Sequence, residues 1–95
     1  MTSVEIGEIA LQVFTSMRNV ITISDVYRDG MSYMIYTTDD DLQVVIEGAD
    51  WVRHPLGDHV EVVEYNCRKR YDLGIARTAD EALAILKREH AGFLF

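Results

Sequence analysis

Residues 60–90, VEVVEYNCRKRYDLGIARTADEALAILKREH, decide the fold class. The first seven, VEVVEYN, are valine-rich with one aromatic residue, which favours a pleated strand over a helix. CRKR, 67–70, turns the chain. YDLGIAR, 71–77, then returns as a second strand, with Tyr71, Leu73 and Ile75 sharing a face at a spacing of two. At Thr78 the period changes. Thr78 and Glu81 have capping-box spacing, which satisfies two orphan amides at a helix start. Ala79, Ala82, Leu83 and Leu86 then recur at three and four residues and form one apolar stripe. Lys87, Arg88 and His90 fall in the last turn, where cations suit the carbonyl end of the helix dipole. Gly92 suits a stop. A hairpin running straight into an amphipathic helix predicts an α+β fold.

Toward the N-terminus, LQVVIEG, 42–48, alternates, with Leu42, Val44 and Ile46 inward and Gln43 and Glu47 outward. Asp39, Asp40 and Asp41 make the turn before it. MSYMIYTT, 31–38, is apolar on both faces, as a covered central strand would be. VITISDVY, 20–27, reads as a further strand, joined to it through RDG at 28–30 with Gly30 at the position that wants positive φ. These three segments predict an antiparallel meander. Before them, Ile6, Ile9, Ala10, Val13, Phe14 and Met17 lie on one helical face. Thr2 and Glu5 predict a helix start near residue 3. The expectation is one domain over 1–95: an antiparallel sheet of about five strands, meander plus hairpin, flanked by an N-terminal and a C-terminal helix. The order is α-β-β-β-β-β-α, with both helices on one face.

Composition sets the functional limits. Ninety-five residues cannot divide their apolar side chains between two cores. The longest stretches without a charge, Ile9–Met17 and Gly30–Thr38, fall far short of the roughly 20 residues a membrane span needs. MTSVEIGEIAL lacks the basic start of a secretory signal. Cys67 is the single cysteine, so no internal disulfide forms, and a cytoplasmic location is expected. The net charge of −7 is concentrated between residues 37 and 64. There Arg53 stands alone against Asp39, Asp40, Asp41, Glu47, Asp50, Asp58, Glu61 and Glu64. An acidic surface disfavours phosphate backbones, which are bound by Lys and Arg displacing counterions.

Three groups of residues carry chemistry. WVRHPLGDH, 51–59, brings Trp51, His54, Asp58 and His59 together in one connection, and Cys67 follows it across a strand. Imidazole, carboxylate and thiolate suit zinc, and His59 with Cys67 would suit nucleophilic catalysis. The spacing opposes both. There is no paired short spacing, and eight strand residues put His59 and Cys67 roughly 27 Å apart. No metal, cofactor or enzymatic activity is therefore expected. TTDDDLQ, 37–43, lacks the Gly and Glu of a calcium loop counted from Asp39, and reads as a hairpin tip. The third group, Arg68, Lys69 and Arg70, keeps nucleic-acid binding as an alternative.

The stretch NCRKRYDLGIARTADEAL, 66–83, has the outline of a basic hairpin, a small-residue strand and a capped helix. It resembles in shape the sheet-plus-helix modules at the N-termini of phage integrases, which read DNA with their strands. Glu61 and Glu64 stand where that use needs basic and aromatic residues, so the likeness is one of outline.

The expected function is a small acidic protein-binding module without catalysis, of the inhibitor, immunity or accessory kind that phages and mobile elements encode. Its contact residues would be Asp39, Asp40, Asp41, Glu47, Asp50, Trp51, Asp58, Glu61 and Glu64, facing a basic protein surface. The alternative is a zinc- or thiol-dependent enzyme around His54, His59 and Cys67. The tail AGFLF, 91–95, either packs on the sheet or offers a patch for a second copy and a homodimer.

Overall fold

The computed structural model describes residues 3–24, 32–37, 42–48, 59–92 and 94–95, with side-chain surroundings for 5–20, 42–48, 59–92, 94 and 95. The elements in order are α1 (Ser3–Thr15), β1 (Val20–Ser24), β2 (Ser32–Thr37), β3 (Gln43–Gly48), β4 (Val60–Asn66), β5 (Lys69–Ala76) and α2 (Ala79–His90).

The expected antiparallel sheet of about five strands, meander plus hairpin, requires correction. The unit whose side chains build the core is a smaller α+β fold, α-β-β-β-α, in which α1 and α2 pack on the three-stranded antiparallel sheet β3-β4-β5. β3 docks on β4 along its whole length, from Gln43↔Tyr65 to Gly48↔Val60. The β1 and β2 segments continue the backbone ladder beyond β3, through Ser32↔Glu47 to Tyr36↔Gln43 and Val20↔Thr37 to Ser24↔Met34. Beyond Val20, which packs against the core, their side chains lie outside the described residues. The Thr2 cap and the turns 28–30 and 39–41 lie outside them as well.

The core follows from the two periodicities. Ile6, Ile9, Ala10, Val13, Phe14 and Met17 of α1 are buried against Val44 and Ile46 of β3, Val60 and Val62 of β4, and Ala76 of β5. α2 adds Ala79, Ala82, Ile85 and Leu86 to the same cluster, so both helices cover one face of the sheet. Leu83 is only half-buried, and Ile85 takes the place expected of it. Each fully buried aliphatic or aromatic side chain contributes about 1.5–3 kcal/mol relative to exposure. The intervening strand residues point away from the helices.

The ends of the helices are closed by side chains. Thr15 and Ser16 donate their hydroxyls to the Leu11 and Gln12 carbonyls, both at 2.9 Å, and so terminate α1. Thr78 caps α2 by accepting from the Glu81 amide at 3.2 Å. Glu81 reaches back to the Arg77 amide at 2.7 Å, one residue earlier than a capping box requires.

The tail folds back. Leu94 is fully buried in the core and Phe95 packs against it, while Phe93 lies outside the described residues. Arg18 fastens this tail: its amide donates to the Leu94 carbonyl, and its guanidinium donates to that of Gly92 at 3.3 Å. No described helix is long and apolar enough to cross a membrane.

Candidate interaction surface

β4 and β5 are joined by Cys67 and Arg68 alone, and both have positive φ, 52° and 66°. Two left-handed residues between paired strands make a type I′ turn, whose twist matches that of the hairpin. The expected turn CRKR is thus half as long, because Lys69 and Arg70 already pair with Asn66 and Tyr65. A second irregularity lies along β5. Val62 pairs with Gly74 and Val63 with Asp72, which leaves Leu73 as the extra residue of a bulge. The bulge reverses the alternation, so Tyr71, Leu73 and Ile75 do not share a face as expected. Leu73 packs on the core, Tyr71 is opposite Glu64, and Ile75 is opposite Glu61.

The short turn delivers Arg70 to the helix-free face, where it becomes a hub. Its Nη1 lies 3.0 Å from Glu47 Oε2, 3.1 Å from Oε1 and 3.0 Å from the Tyr65 hydroxyl. Its Nη2 lies 3.1 Å from Asp72 and 3.9 Å from Glu61. The guanidinium also stands 6.0 Å from the centre of the Tyr65 ring, at the outer limit of a cation–π contact. Burial works to lower the affinity of Arg70 for its proton. The Tyr65 and Glu47 hydrogen bonds and their charges outweigh burial and hold the guanidinium above the ordinary arginine range. Its charge is fixed at every accessible pH.

This hub resolves a conflict written into the register. Glu47 and Glu61 are directly opposed on neighbouring strands, and like charges so placed repel. The Glu61 side chain is only 7% exposed, so its charge is the most dependent on a partner. Below it Val45 and Val63 are buried, although they lie outside the helix-covered cluster.

The candidate residues therefore separate. Glu47 and Glu61 come together. Glu64, expected beside them, faces the helices and pairs with His90 Nε2 at the end of α2. Asp39, Asp40, Asp41, Asp50, Trp51, His54 and Asp58 lie outside the described residues. His59 precedes β4 and is buried, whereas Cys67 follows β4 and is exposed. The intervening strand keeps them at opposite ends of β4. Among the described residues no three His, Cys, Asp or Glu side chains are grouped to hold a metal. Of the basic triplet, Arg70 is occupied by carboxylates, while Arg68 and Lys69 remain on the exposed hairpin end. Gln43, Tyr65, Cys67 and Arg68 border a cleft of about 300 Å³ there.

The sequence carries local signals for the hub. Asp72 and Tyr65 flank the basic triplet, and a two-residue turn was the one that would put Arg70 opposite Tyr65. Comparison with models of protein families, with curated proteins and with solved structures found no match.

Proposed function

We propose that this chain is a protein-binding module that uses the β5 side of the helix-free face of its sheet. The observation that carries this reading is the Arg70 hub. Arg70 holds Glu47, Asp72 and Tyr65, with Glu61 3.9 Å away, beside Ile75, which is 50% exposed. Side chains already fixed lose little entropy on association. An aromatic and an aliphatic contact rimmed by carboxylates is a composition suited to a protein partner.

Charge sets the kind of partner. Among the described residues three carboxylates, Glu47, Glu61 and Asp72, surround the single cation of the hub. Such a face attracts a basic protein surface and accelerates encounter at low salt. An inhibitor, immunity or accessory protein would act in this way, by occupying a partner's surface.

The test is site-resolved photocrosslinking in lysate of the source cells. A benzophenone side chain is placed at Ile75, on the proposed face, or at Leu11, which is 58% exposed on α1. Capture of one protein from Ile75 and not from Leu11, weakened by salt and by the Asp39→Lys, Asp40→Lys, Asp41→Lys triple variant, supports the reading. Equal capture from both positions, or from neither, overturns it.

A further inference from the structure

We propose that β5 pairs antiparallel with β5 of a second copy, about a two-fold axis through Tyr71. β5 is the last strand of the ladder, and residues 69–72 are all exposed. The two-residue turn fixes which backbone groups face outward. Asn66↔Lys69 flank the turn, and Glu64↔Tyr71 is the next pair of that kind, so these residues direct their N–H and C=O groups toward β4. Arg70 and Asp72 therefore present both of theirs to solvent. Such an edge is a template for another strand.

The side chains select a second copy as the occupant. Arg70-Tyr71-Asp72 reads cation, aromatic, anion. In a two-fold antiparallel pairing centred on Tyr71, each Arg70 lies opposite the other copy's Asp72, and the two Tyr71 rings are neighbours. Both kinds of cross-strand pair are favourable. Any other register of the same edge loses this match. A parallel pairing sets Arg70 beside Arg70 and Asp72 beside Asp72. Asp72 is well placed for it, with its side chain 65% exposed.

The structure also limits the pairing. Arg88 donates to the Leu73 carbonyl at 3.2 Å, and the bulge at Leu73 bends the strand immediately beyond Asp72. The ladder thus stops after Leu73, and the contact is smaller than the roughly 1,200 Å² of a standard stable interface. The dimer is accordingly in exchange with monomer. It draws on Arg70 and Asp72, which also belong to the hub, but its ladder runs along the strand's edge, and the Tyr71→Cys crosslink reads it apart from the partner surface proposed above.

Two measurements on the full chain test it. Sedimentation velocity of the wild-type protein shows an average mass that rises with concentration, and Asp72→Lys, which sets two cations opposite each other, weakens dimerisation about tenfold. In a Cys67→Ser background, Tyr71→Cys is oxidised to a disulfide-linked dimer, because the central pair brings Cα atoms to about 4.5 Å, within disulfide range. Ile75→Cys serves as the control: in this register the two copies of residue 75 are about 27 Å apart. A wild-type chain that stays monomeric at every concentration overturns the proposal. So does unchanged dimerisation of Asp72→Lys, or crosslinking of Ile75→Cys as fast as Tyr71→Cys.

Discussion

Gly74 lies directly beneath Ile85: a β-carbon at residue 74 would stand 3.0 Å from Ile85 Cδ1 and 3.4 Å from Cγ1. The absent side chain is what lets α2 settle on β5 at that level. Gly74→Ala pushes the outer methyl of Ile85 aside and costs about 1 kcal/mol, at the low end for overpacking. Ile85→Val removes the offending Cδ1. The double variant is therefore less destabilised than the two single losses added together, a difference that urea denaturation of all three proteins measures.

The hairpin turn is open to improvement. Cys67 and Arg68 both carry side chains in the left-handed region, which costs non-glycine residues roughly 1–2 kcal/mol each. Asn at the first position and Gly at the second are the residues this turn type prefers. Cys67→Asn with Arg68→Gly is expected to stabilise the protein by about 1 kcal/mol or more. That corresponds to a Tm increase of about 4–8 °C in a domain of this size. A melt that shifts downward removes the strain argument.

Leu94 links the end of the chain to its beginning. Leu94→Ala empties a fully buried site, and large-to-small core changes of this kind cost about 2–5 kcal/mol. Phe95→Ala, at a half-buried position, costs less. Arg18→Ala releases the Gly92 carbonyl but leaves the Arg18 amide bonded to Leu94, so it falls well below Leu94→Ala. Denaturation midpoints in that order support the tail as core, and equal midpoints for Leu94→Ala and wild type refute it.

What the sequence discloses here depends on how far apart the cooperating residues are. The α1 stripe, the Thr78 cap and the alternation of 42–48 are local patterns, and the structure places all of them as read. The bulge at Leu73 shifts a register by one residue, and periodicity cannot register that, since Tyr71, Leu73 and Ile75 alternate faultlessly in the sequence. The separation of Glu64 from Glu61 follows simple alternation and was open to reading, but counting acidic residues along 37–64 treated opposite faces as one. The Arg70 hub needs Glu47 from β3, which is 23 residues away, and only the strand order brings it there.

Removing Arg70 tests the hub directly. Arg70→Gln leaves Glu47, Glu61 and Asp72 without their shared cation, and Glu61, with its side chain 7% exposed, cannot recover its solvation by turning to water. Loss of the charge-assisted hydrogen bonds to Glu47 costs about 1.5–3 kcal/mol, and weaker compensation of the buried Glu61 carboxylate adds to that. Glu61→Gln in the same chain removes that less compensated charge, so the double variant regains part of the loss. Asp72→Asn paired with Arg70→Gln regains almost nothing, because Asp72 is already solvated at 65% exposure and exposed pairs contribute about 0–1 kcal/mol. A double-mutant cycle by denaturant measures the coupling, and losses that simply add for Arg70→Gln and Glu61→Gln show that Arg70 was not holding that carboxylate.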